Sequence, residues 1–166
     1  MVSYVSVINR TQKEVPSDFA KEISELFLRM YSEDRGQRGC ISVSTTIVFV
    51  TDSEMKKYNS EYRNKDVTTD VLSFCTGCDE AAIDKVEGDG GETCELGDIL
   101  VSYEEVERNS IRFGVSTNEE LARVIIHGLL HLLGHEHEGV LDEDRGEMLQ
   151  LQEQFVKQFI DDGFIK

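Results

Sequence analysis

The sequence predicts a single α+β domain: a small mixed β-sheet with helices packed on it and one apolar helix at its centre. Three observations predict it. The 166 residues suit one domain with a sizeable core, and no repeat or linker divides them. Segments of period two and segments of helical period follow one another along the whole chain. One stretch, Leu121 to Leu133, is apolar on nearly every helical face, which places it inside the fold.

Val2 to Ile8 is rich in β-branched and aromatic residues and reads as a strand. Pro16-Ser17 opens a helix with Phe19, Ile23, Leu26, Phe27 and Met30 on one face. Arg35 to Gly39 is a turn. Ile41, Val43, Thr45, Ile47 and Phe49 alternate with their neighbours and give a second strand. Thr51 or Asp52 can cap a short helix to about Tyr62. Val71 to Phe74 is a short apolar run that reads as a buried strand, and Ile99 to Val101 as another. A helix follows from about Tyr103 to Phe113. Thr117 and Glu120 have the spacing of a capping box before the apolar helix. The last helix runs from about Leu141 to Ile160, with Met148, Leu151, Phe155 and Phe159 facing in.

The net charge of −16 argues against a general nucleic-acid binder, because phosphates are repelled by an acidic surface. Its distribution qualifies that. Residues 79–95 hold seven acids against Lys85 alone, with three glycines, and read as a flexible acidic insertion in a single domain spanning 1–166. Lys56, Lys57, Arg63 and Lys65 form a local basic cluster. No apolar run is long enough to span a bilayer. The first ten residues lack the pattern of a secretory signal, so a cytoplasmic protein is expected. Without a secretory signal, Cys40, Cys75, Cys78 and Cys94 read as free thiols beside a loop, and the lack of a second close pair argues against a four-cysteine zinc site.

All four histidines fall in the run His127-Gly128-Leu129-Leu130-His131-Leu132-Leu133-Gly134-His135-Glu136-His137. His127 and His131, four apart on a helix, share one face with Cβ atoms about 6 Å apart. Gly134 tolerates φ > 0, ends the helix and turns the chain, which can bring His137 back to the first two. Three imidazoles so converging make a metal site with a fourth position open to water. A structural histidine pair would need hydrogen-bond partners that the surrounding valines, isoleucines and leucines do not offer. His135 suits the turn better than the metal, though it can stand in for His137. Zinc fits the donor set, and nickel suits imidazole as well.

The run has the spacing of the extended zinc-protease pattern with one substitution. Those proteases place Glu after the first His, as general base. Gly128 stands there, so the metal cage is kept without the proteolytic base. This points to another metal-assisted hydrolysis. A metalloprotease with a non-standard base such as Glu136 is an alternative.

The histidine run closely resembles the signature of the YbeY family of bacterial endoribonucleases. Tyr62-Arg63-Asn64-Lys65-Asp66, Thr69-Asp70-Val71-Leu72-Ser73-Phe74 and Leu96-Gly97-Asp98-Ile99 resemble its other blocks, in the family's order. The resemblance implies a single-domain cytoplasmic zinc endoribonuclease. It would act on single-stranded RNA, in ribosomal RNA maturation at the 3′ end of the small-subunit RNA and in ribosome quality control, with ribosomal proteins as further partners; a ribosome-assembly factor with structural zinc is the alternative. His127, His131 and His137 match the zinc ligands, and Arg63 matches an arginine important for activity. A guanidinium suits the charge that grows on phosphate oxygens during cleavage; a surface ion pair of Arg63 with Asp66 or Asp70 is the alternative. Asp70, Asp98 and Glu136 are candidates to orient the imidazoles. The chain departs from the family at His135, usually aromatic, at Glu136, usually Asp, and at Cys75, usually Pro.

Overall fold

The computed structural model describes residues 2–34, 42–77, 93–135 and 142–166. His137, Glu136 and most of the acidic segment lie outside them. The order is β1 Val2–Asn9, α1 Ser17–Asp34, β2 Ser42–Val50, α2 Asp52–Arg63, β3 Val71–Cys75, β4 Thr93–Ser102, α3 Tyr103–Phe113, α4 Thr117–Leu132 and α5 Asp142–Asp161.

The strands form one mixed sheet in the order β1-β2-β4-β3. β1, β2 and β4 are parallel; β3 runs antiparallel to β4. The larger core lies on one face, where Ile47, Phe49, Leu96, Ile99 and Val101 meet α1, α4 and α5. A smaller core of Val50, Met55, Leu72 and Leu100 lies on the other, under α2. The predicted α+β class and the central apolar helix are both observed.

Local chemistry explains most boundaries. Thr51 caps α2 in a full capping box with Glu54. Ser116, not Thr117, caps α4: its hydroxyl accepts from Glu119 N at 3.1 Å. The shift leaves Glu120 inside the helix, where it is buried and paired with Arg123. β4 begins at Thr93, so the last three residues of the acidic segment are strand. Extra residue Leu96 makes a bulge against β2. Gly97 sits there at φ 128, and a Cβ on it would lie 2.0 Å from the Phe74 carbonyl oxygen. Cys75 is a free thiol as expected. Cys94 is not: it is disulfide-bonded.

Candidate metal centre

From Glu120 to Leu133, α4 is buried everywhere except at Arg123, His127 and His131. These three are spaced by four and form one stripe on the helix. The burial of the other faces is what forces both imidazoles onto the same open side. The helix stops as the sequence predicts. Gly134 adopts φ 94, Gly134 N donates to His131 O and His135 N donates to Leu130 O, both at 3.0 Å. This pairing is a Schellman closure.

His127 Nε2 and His131 Nε2 lie 3.2 Å apart. Two nitrogens held on one zinc ion at tetrahedral angle stand about 3.3 Å apart, given Zn–N bonds of about 2.0–2.1 Å. The pair would therefore fit two of the four ligand positions of such an ion. The same distance also admits an N–H···N hydrogen bond. Among the described residues, no group of three His, Cys, Asp or Glu side chains assembles a complete metal site. The third candidate ligand, His137, is outside them.

Behind the pair, His127 Nδ1 is 2.9 Å from Gln152 Oε1 on α5. Gln152 was not legible as a site residue: an uncharged side chain in a helix 25 positions away carries no spacing signal. His135 turns the other way. Its Nε2 is 2.7 Å from the Tyr31 hydroxyl, and its ring packs edge-on against Tyr31 on α1.

The second-sphere candidates divide. Asp70 lines a cavity of about 150 Å³ together with Glu120, Arg123, His127 and Gln152. Its carboxylate accepts from Asn109 Nδ2 at 3.4 Å and Thr69 Oγ1 at 3.3 Å. Asp98 is exposed and pairs in register with Phe74, on the α2 face of the sheet. Its neighbour Ile99 faces α4, so the sheet separates Asp98 from the histidines. Glu136 lies outside the described residues.

Arg63 ends α2 and is exposed. Among the described residues it makes no ion pair; Asp66 lies instead beside Lys56, at 3.5 Å. Neighbouring Tyr62 is exposed too; its ring meets Phe74 of β3 in a T-shaped contact at a centroid distance of 5.0 Å and stacks on Tyr58 at 6.3 Å. β3 is an edge strand of the described sheet, and its other face touches α4, through Ser73 Oγ to Gly128 O at 3.4 Å. The α2 terminus and the histidine helix thus flank the two sides of one edge strand.

A helix carrying a histidine pair on its partly open stripe, laid on a mixed sheet, defines an α+β protein with a candidate metal centre. A family model described as Endoribonuclease YbeY matches residues 6–160. A protein named Endoribonuclease YbeY from Petrotoga mobilis is 32% identical over 158 residues, covering 95% of this chain and 96% of the relative. One of the same name from Treponema pallidum is 43% identical over 117 residues, covering 68% and 66%. A solution structure from Thermotoga maritima aligns with TM-score 0.59 at 25% identity, over 97% of this chain and 95% of that one. The chain belongs to the Endoribonuclease YbeY family.

Proposed function

We propose that the protein is a zinc-dependent endoribonuclease that cleaves single-stranded RNA in the maturation of ribosomal RNA, at the 3′ end of the small-subunit RNA, and in ribosome quality control. The carrying observation is the Nε2 pair of His127 and His131, 3.2 Å apart on the open stripe of an otherwise buried helix, in a chain of an endoribonuclease family. His127, His131 and His137 would hold the ion, with nickel as the alternative metal. Zinc so held supplies a Lewis acid that activates water near neutral pH.

The chain's own residues do the rest. Gly128 offers no side chain to take a proton. Arg63, without an ion-pair partner among the described residues, is available to donate two parallel hydrogen bonds to phosphate oxygens. The Tyr62 ring beside it stacks on Tyr58 yet stays exposed, and offers aromatic surface to an unpaired base. A flexible strand suits this edge better than a duplex, because a paired base has no free face to give the ring.

The setting is cytoplasmic, with ribosomal proteins as possible neighbours of the RNA. No helix among the described residues is long and apolar enough to cross a membrane. The test is RNA cleavage by purified protein with and without a chelator. Loss on chelation and recovery on adding zinc supports the reading; unchanged cleavage in excess chelator refutes it.

A further inference from the structure

We propose that Gln152 is a positioning residue: Arg123, Glu153 and Gln152 form a relay that locks His127 as its Nδ1–H tautomer and leaves Nε2 as the metal-binding atom. The proposal rests on the metal-centre reading above. Four hydrogen bonds carry it. Arg123 Nε donates to Glu153 Oε1 at 2.8 Å and Arg123 Nη2 to Glu153 Oε2 at 3.2 Å. Gln152 Nε2 donates to Glu153 Oε1 at 2.9 Å. His127 Nδ1 is 2.9 Å from Gln152 Oε1.

The direction of the relay follows from what each group can do. An amide's oxygen and nitrogen are told apart by their neighbours rather than by their shape. Here the neighbour is an ionised carboxylate, which can only accept. Burial alone would raise the Glu153 pKa, but the hydrogen bonds from Arg123 and Gln152 outweigh it and hold the pKa below the ordinary value. The Gln152 NH₂ group must therefore face Glu153, and its carbonyl must face His127. A carbonyl also only accepts, so the proton sits on His127 Nδ1. Nε2 is left with its lone pair, on the side where His131 Nε2 lies. Gln152 is 5% exposed, so water does not compete for the bond.

Arg123 anchors the far end. Its guanidinium also donates to Glu119 Oε1 and Glu120 Oε2, each at 3.0 Å. Burial would lower its pKa, but the three carboxylates outweigh burial and raise it, so the cation is permanent. Arg123 precedes His127 by one helical turn on the open stripe. The relay thus leaves α4 at Arg123, passes through α5 and returns to α4 at His127. It holds the imidazole without placing a full negative charge beside it.

The experiment reads tautomer and metal affinity on the full chain. Long-range nitrogen–proton correlation spectra of metal-stripped protein resolve four imidazoles, and His127→Ala assigns one of them. The relay predicts Nδ1–H for His127 in the wild type and loss of that preference in Gln152→Ala. Zinc affinity, measured by competition with a chromophoric chelator, should fall about 10–100-fold in Gln152→Ala. Gln152→Met, similar in size but with no carbonyl, keeps the test if the alanine variant does not fold. Nε2–H in the wild type, or wild-type zinc affinity in Gln152→Ala, overturns the relay. Failure of the wild type to bind zinc overturns the metal-centre reading instead, and the tautomer spectra still decide whether Gln152 positions His127.

Discussion

Gly128 backs onto Ile99: a Cβ at position 128 would lie 2.9 Å from Ile99 Cγ2 and 3.2 Å from Ser73 Oγ. The residue after His127 is thus the point where α4 lies against β3 and β4. A side chain there would push the histidine helix off the sheet. The missing protease base and the tight seating of the helix are one fact seen from two sides.

Gly128→Ala should therefore destabilise the protein by about 1–3 kcal/mol through overpacking. The gain in helix propensity, about 1 kcal/mol, offsets this only in part. Urea denaturation checks it. Adding Ile99→Ala should cost less in the Gly128→Ala background than in the wild type, because the cavity receives the new methyl. An unchanged midpoint for Gly128→Ala would show that α4 has slack against the sheet. Gly128→Glu should be worse still and should not cleave casein.

Arg123→Ala should cost about 3 kcal/mol, because it strands Glu120, only 3% exposed, without its partner. Burial already raises the Glu120 pKa with Arg123 present, and removing the cation raises it further. A carboxyl whose folded pKa is raised destabilises the fold above that pKa and ceases to do so below its unfolded pKa. The gap in unfolding free energy between wild type and Arg123→Ala should then narrow as pH falls from 7 through the raised Glu120 pKa. A gap that stays constant or widens on acidification contradicts the assignment.

Arg63→Ala should abolish most RNA cleavage while leaving zinc content and melting temperature near wild type, since Arg63 is exposed and makes no ion pair among the described residues. Tyr62→Ala should raise KM for a uridine oligomer more than for an oligomer abasic at the stacking position, and Tyr62→Phe should restore binding. Base–aromatic stacking of about 1–3 kcal/mol corresponds to roughly 5–150-fold. Retained activity in Arg63→Ala, with a marked fall in melting temperature, would make the arginine structural.

Much of this site was legible in the sequence because helical spacing is a strong signal. His127 and His131, four apart among leucines, can only share a face, and Gly134 can only end the turn. The fold class was legible for the same reason, from periods of two and 3.6. What escaped depends on tertiary contact. Gln152 meets His127 only because α5 packs along α4. Asp98 reads as a neighbour of the site until the sheet is built, when the bulge at Leu96-Gly97 turns it to the α2 face. The α4 cap moved by one residue because Ser116 and Thr117 are both good caps, and Glu120 is taken by Arg123. Cys94 escaped because the missing secretory signal argued for free thiols, a reading of compartment that says nothing of which cysteines the fold brings together.

The central claim is that the His127–His131 pair holds the ion on which RNA cleavage depends. The direct measurement titrates zinc into metal-stripped protein and follows cleavage of a single-stranded RNA against bound zinc. Activity should rise in step with zinc and saturate at one ion per chain, with His127→Ala and His131→Ala flat throughout. Full activity in the metal-stripped protein, or wild-type titration curves in both histidine variants, would contradict it.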